Sequence, residues 1–203
     1  MHNIIFQLIL DKVKSRLISN LLSLNNSGKE TILHLARTTS VELLEETKSL
    51  HDILLTCKTI CKMLQISDKN PWIDLELNGY LIKYKTRDEL YDNLPYYRKT
   101  TWKFYDLYGN VITLPPDIGD LFGKSTIYHP THELESNNPL IIGIQFLDKF
   151  NKFISEHGTD YASKSVRIHE ARVAKGAITQ VLQGIKSKTQ EFLDTIISIL
   201  ESG

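Results

Sequence analysis

Cysteine is scarce, with only Cys57 and Cys61 among 203 residues, which excludes a disulfide framework. The two lie in a stretch of helical period and share one helix face, and no second pair completes a zinc site. They read as core or half-exposed thiols. An excess of one charge is also missing, because 24 Lys plus Arg balance 24 Asp plus Glu. No whole-molecule field then draws in nucleic acid or an anionic membrane, and any such binding needs a local patch. No apolar run approaches the ~20 residues of a membrane span. Asp11, Lys12, Lys14 and Arg16 interrupt the most hydrophobic stretch, and Met1 to Gln7 shows neither a basic leader nor a small-residue cleavage site. A cytoplasmic protein without a membrane role is expected. A phosphate loop is absent as well: Gly119 to Ser125 ends in Gly-Lys-Ser but leaves three residues between its glycines where a Walker A loop needs four.

The composition, 41% hydrophobic and 24% charged, suits one sizeable core. Ile5, Leu8, Ile9, Val13, Leu17, Leu21 and Leu24 recur at threes and fours, predicting an amphipathic helix over 4–24 that Asn25-Asn26-Ser27-Gly28 ends. Residues 31–50 read as two short helices, with Arg37-Thr38-Thr39-Ser40 as an interruption and a new N-cap. A core-facing helix over 51–65 follows, carrying Ile53, Leu54, Cys57, Ile60, Cys61 and Leu64 on one stripe. Pro71 to Asn78 is a short helix opened by proline and stopped by Asn78-Gly79, with Asp74 and Glu76 turned away from its apolar residues. Tyr80 to Arg98 reads as a long ordered loop. Thr100 to Leu114 gives a hairpin around Gly109-Asn110, closed by Pro115-Pro116. Residues 117–138 suggest a surface connection with a helical turn near 132–135. A helix over 145–157, a short strand over 166–169 continuing towards Val173, and a long C-terminal helix over 175–201 complete the chain. The fold class is α+β: mostly helical, with a small antiparallel sheet made of the hairpin plus a late strand, and a long C-terminal helix.

Groups that could carry chemistry are few. His129-Pro130-Thr131-His132-Glu133-Leu134-Glu135 offers two imidazoles and two carboxylates, but Pro130 breaks the helix that would align them and the zincin order is absent. Asp74 with Glu76, or Asp88 with Glu89, pairs carboxylates in a way that suits magnesium or plain solvated surface. We therefore expect no metal, no cofactor and no catalytic set. Lys164, Arg167, Arg172 and Lys175 surround the late strand, with Lys186 and Lys188 further on. They form either a phosphate-contacting patch or a solvated face. Tyr80, Tyr84, Tyr91, Tyr96 and Tyr97, near Trp72, form either a stacking platform or interface, or rings that pack the loop onto the hairpin.

Two of these segments belong together. Trp72-Ile73-Asp74-Leu75-Glu76-Leu77-Asn78-Gly79-Tyr80, then Asp88-Glu89-Leu90, then Leu94-Pro95-Tyr96-Tyr97-Arg98, resembles the AbiTii domain of bacterial conflict systems. That family shows a helix ending in Glu-Leu-Asn-Gly-Tyr, an acidic stretch leading to Leu-Pro-x-Tyr-Arg, and a long C-terminal helix after a strand. The resemblance runs from about His51 to the C-terminus. It sets residues 1–50 apart as a helical extension on or next to an AbiTii-like domain of residues 51–203, and the spacer around Tyr91-Asp92-Asn93 is longer than in the family. It implies a role in antiphage or abortive-infection defence as an accessory, sensing or signal-relaying module, and brings no established catalytic mechanism.

The same residues have a purely physical reading. Asn78-Gly79 sets a left-handed helix end, Trp72 and Tyr80 bracket the turn, and Arg98 is placed to pair with Glu76 or Asp74. That describes a structural knot. A ligand site built from Trp72, Asp74, Glu76, Asn78, Gly79, Tyr80, Pro95, Tyr97 and Arg98 is the other reading of the same turn. The expected mode of action is binding of a protein partner or a second copy. The alternatives are an enzyme acting on nucleic acid or a nucleotide through the motif, and a nucleic-acid sensor using the basic residues near the C-terminus.

Overall fold

A computed structural model of the chain describes residues 19–20, 24–66, 71–100, 102–114, 125–136, 148, 151–152, 154–156, 167–173 and 176–202. Its elements are α1 (Asn26–Glu45), α2 (Leu50–Met63), α3 (Pro71–Asn78), α4 (Arg87–Asn93), β1 (Lys99–Thr100), β2 (Trp102–Tyr105), β3 (Val111–Ile112), β4 (Ser125–Thr126), α5 (Thr131–Glu135), β5 (Glu170–Val173) and α6 (Ala177–Ser202). The described residues are mostly helical, with a small antiparallel sheet of order β3-β2-β5 and the long C-terminal helix, as the periodicity predicts. Lys99↔Thr126 and Thr100↔Ser125 form a second, two-stranded pairing.

The main core lies where α1, α2, α3 and α6 meet. Ile32, Ala36 and Leu43 of α1 pack with Ile53, Leu54, Cys57 and Ile60 of α2, Ile73 of α3, and Val181, Ile185, Leu193 and Ile196 of α6. Both thiols fall on the inner stripe of α2, as expected of core cysteines. A second cluster, Phe104, Ile154, Ile168 and Ala171, fills the space under the three-stranded sheet.

Several expectations need correction. α1 is one helix, because the polar run 37–40 finds partners without breaking it. Thr39 Oγ1 donates back to Leu35 O at 2.7 Å, and Ser40 Oγ accepts from Gln190 of α6 at 2.8 Å. Asn25 starts this helix, its side chain accepting from Gly28 N–H at 2.8 Å. The amphipathic reading of 4–24 lies outside the described residues except for 19, 20 and 24. There, Asn20 Nδ2 donates to Leu64 O at 2.9 Å and Leu24 packs on the core.

Residues 80–98 are structured where a loop was expected. Two 3₁₀ turns, Tyr80–Ile82 and Tyr96–Arg98, flank α4, which opens on a full capping box between Thr86 and Glu89. Nor is the 117–138 connection a surface one where it is described, since Ile127, Thr131 and Leu134 are all buried. The turn there is α5, and its Glu135 carboxylate accepts Leu50 N–H (2.5 Å) and His51 N–H (3.1 Å), capping α2. The late strand falls at Glu170–Val173, four residues beyond the predicted start, because Ile168 plugs the second core just before pairing with β2 begins. The Gly119–Gly123 stretch, Pro115-Pro116 and most of 145–157 lie outside the described residues.

Burial pushes the Cys57 thiol up to about 12 from its ordinary value of 9.0, and the neighbouring Cys61 adds to the rise. A raised folded pKa means a contribution to stability that is complete below about pH 9 and is lost as pH climbs towards about 12. The urea midpoint should therefore fall across that window, and Cys57→Ala should flatten part of the fall. An identical pH profile in the variant would show that the thiol stays accessible to water.

Candidate functional site

Trp72, Glu76 and Tyr80 stand four residues apart in sequence, so the end of α3 presents them along one face. That face turns inward: Trp72 is 8% exposed, Glu76 0% and Tyr80 1%. Asp74 points the other way and pairs with Lys58 at 2.6 Å. The two carboxylates of α3 thus have opposite fates, where the sequence suggested that both point away from the core. Gly79 ends the helix at φ 82°, and a Cβ there would lie 3.2 Å from Tyr128 O and Pro130 Cδ, so both the backbone angle and the close approach require glycine.

Leu94 and Pro95 lead into the 3₁₀ turn that carries Tyr97 and Arg98 back against this face, with Arg98 N–H donating to Pro95 O at 2.9 Å. The Arg98 guanidinium, itself 0% exposed, meets the Glu76 carboxylate through Nε (3.1 Å to Oε2) and through Nη2. Glu76 Oε1 accepts from Tyr80 Oη at 2.7 Å and from Tyr97 Oη at 2.8 Å. Arg98 Nη1 donates to two main-chain carbonyls, Ile127 O at 2.7 Å and His129 O at 2.9 Å, while the guanidinium lies 4.8 Å from the Tyr80 ring centroid. Trp72 Nε1 donates to Tyr97 Oη at 2.9 Å. Main-chain bonds from Tyr80 N to Tyr128 O and from Ile127 N to Arg98 O, both 2.9 Å, and from Thr131 Oγ1 to Glu76 O at 2.9 Å, sew the 127–131 segment to the cluster.

The long helix α6 closes the remaining side. A Cβ at Gly184 would lie 2.5 Å from Tyr97 Cβ and 2.9 Å from its Cδ1, well inside van der Waals contact, so only glycine lets helix and ring approach this closely. One turn on, Lys188 Nζ sits 4.7 Å over the Trp72 ring.

Burial, and then the Glu76 charge, push the Tyr80 and Tyr97 hydroxyls well above the usual tyrosine range, which keeps both as donors. Burial lowers Lys188 against the pull of Glu76 and Glu191, and lowers His129 in the same way against Glu133. Chemically the cluster is a closed set: the carboxylate is filled by a guanidinium and two phenols, and the guanidinium by a carboxylate and two carbonyls. A groove of about 820 Å³ along α1 and α6 and a second of about 360 Å³ near the start of α2 are lined by none of its residues.

Of the residues singled out in the sequence, Trp72, Glu76, Gly79, Tyr80, Pro95, Tyr97 and Arg98 come together here. Asp74 and Asn78 do not; Asn78 is exposed and donates to Asp74 O at 2.9 Å. Gly184, Lys188, Thr131 and the carbonyls of Ile127 and His129 were not foreseen, although a glycine in the middle of an otherwise strong helix was a usable signal. The tyrosines divide: Tyr96 is 84% exposed, and Tyr91 lies under Lys99 at 4.5 Å. His129 stacks on Tyr128, His132 meets the His51 ring edge-on, and Glu135 caps α2, so these groups serve separate contacts. Lys164 and Lys175 lie outside the described residues. Arg167 is exposed, and Arg172 pairs with Glu170 at 2.5 Å.

A family model, AbiTii, matches residues 34–197. The chain belongs to the AbiTii family. The match begins in α1 and ends in α6, so it takes in the whole Glu76–Arg98 cluster and starts inside the first fifty residues that the motif resemblance set apart. No curated protein and no solved structure matches the chain. The AbiTii strings around Glu76 and Arg98 are therefore, in this chain, the parts of one buried assembly.

Truncating either partner leaves a buried charge unpaired, so Glu76→Ala or Arg98→Ala should cost roughly 3–5 kcal/mol, and the double variant less than the sum. Urea unfolding of the four proteins measures this; additive losses would mean that the pair is not coupled. Gly184→Ala should cost about 1–3 kcal/mol by overpacking against Tyr97, despite alanine's better helix propensity. An unchanged or raised midpoint would show that α6 can move off the ring.

Proposed function

We propose that this AbiTii protein serves bacterial antiphage defence of the abortive-infection type as a sensing or relaying module, and that it works by binding, first of all to a second copy of itself, without catalysis. The family name points to an abortive-infection system. The observation that carries the non-catalytic reading is the 0% exposure of both Glu76 and Arg98, every arm of which is engaged inside the protein. An enzyme acting through this motif would need a carboxylate or phenol that reaches substrate, and these groups face the interior.

Self-association is supported by the surface of α1 and α6. Val41 and Leu44 are 51% and 62% exposed beside the groove of about 820 Å³, whose other wall carries Lys186, Glu191 and Asp194. An apolar ridge next to charges of both signs suits a two-fold interface, in which each patch meets its own copy. Light scattering at micromolar concentration should give a dimer for the intact protein and a folded monomer for Leu44→Glu. In a plaque assay, the intact protein should protect cells and Leu44→Glu should not. A strict monomer that still protects would overturn the self-association.

A further inference from the structure

The three-stranded sheet has an inner and an outer face. Phe104, Ala171 and Ile112 point into the second core, and by alternation Lys103, Tyr105, Val111, Glu170 and Arg172 point out. On this outer face Lys103 lies directly opposite Arg172, a like-charge cross-strand pair that costs stability. Arg172 lies 5.0 Å over the Tyr105 ring and is held there by Glu170 at 2.5 and 2.6 Å. Arg167 is exposed just ahead of β5.

The hairpin tip extends the same surface. Asp106 Oδ1 accepts the Tyr108 and Asn110 N–H groups, both at 2.8 Å, and Oδ2 accepts from Asn110 Nδ2 at 3.0 Å. This locked turn holds Leu107 at 67% and Tyr108 at 85% exposure. Glu170 and Arg172 compensate each other, Asp106 bonds to neutral amides and stays charged, and Lys103 and Arg167 extend into solvent as the cations left for a ligand.

Tyrosine rings, a flat guanidinium and an ammonium on a solvent-facing sheet are the set that stacks unpaired bases and neutralises the phosphates between them. We propose that the outer face of β3-β2-β5 binds single-stranded nucleic acid, with bases on Tyr108 and on the Arg172 guanidinium that covers Tyr105, and phosphates on Lys103 and Arg167. A duplex hides its ring faces and has no use for the tyrosines. The site lies apart from the α1–α6 groove and would supply the sensing half of a module whose other half is self-association.

The test is fluorescence anisotropy with labelled ten-nucleotide oligo-dT and oligo-rU and a duplex of equal length, using the full chain. Single strands should bind more tightly than duplex, and two phosphate contacts should weaken binding about sevenfold between 50 and 200 mM salt. Tyr105→Ala and Lys103→Glu should each reduce affinity tenfold or more, and Tyr105→Phe should restore most of the stacking. Lys103→Glu also removes the like-charge pair, so its melting temperature should hold or rise while binding is lost, which separates a binding role from a structural one. No single-strand binding at 50 mM salt, equal affinity for duplex, or affinity unchanged in Lys103→Glu would each overturn the proposal. Those results would leave the dimer reading intact, because oligomeric state is measured separately.

Discussion

The Glu76–Arg98 ion pair, at 0% exposure on both sides, is the constraint around which the rest is arranged. Removing two charges from water costs several kcal/mol each, and their attraction recovers this only when the remaining lone pairs and N–H groups are filled. The fold supplies those fillers from four places. α3 brings Trp72 and Glu76 with Tyr80 just beyond it, the turn after α4 brings Tyr97 and Arg98, the 127–131 segment brings its carbonyls and Thr131, and α6 covers the outside with Gly184 and Lys188. Each of these segments is short or irregular apart from α6. They hold position because they share one saturated network, in which each bond strengthens its neighbours in a medium of low dielectric.

Around that network the helices do conventional work. α6 lies against α1 over much of its length, with Lys186–Glu46 and Arg37–Glu201 at the edges and the Gln190–Ser40 bond between. The edge ion pairs are exposed and add little; the apolar seam between the helices carries the stability. The candidate binding surfaces lie on the periphery of this frame. The groove uses the outer sides of α1 and α6, and the cationic, tyrosine-bearing face uses the solvent side of the sheet.

Elements governed by local rules were legible in the sequence. Periodicity identified α2 and α6, Pro71 and Asn78-Gly79 bounded α3, and Gly109-Asn110 announced the hairpin. What local rules missed was decided at a distance. Ser40 looks like part of a helix break until Gln190, 150 residues later, donates to its hydroxyl oxygen. The motif suggested that Arg98 pairs with Glu76 or Asp74, and the structure chooses Glu76, 22 residues earlier, but its complete burial was not readable from the chain. The candidate site was partly legible, since the four-residue spacing of Trp72, Glu76 and Tyr80 is in the chain. Gly184 and Lys188 gained meaning only once α6 was laid over that face. The Thr86-x-x-Glu89 capping box was a local signal that went unread, because tyrosines and charges around it look like a loop.

The inward direction of the Glu-Leu-Asn-Gly-Tyr string has an evolutionary corollary. A signature whose Glu76, Leu77, Gly79 and Tyr80 are buried, with Asn78 alone exposed, constrains which sequences can adopt the shape and places little demand on what the outside recognises. Residues of the sheet face or of the α1–α6 ridge can then change without touching the ion pair. Two proteins sharing this string are predicted to share an architecture, and their targets are free to differ.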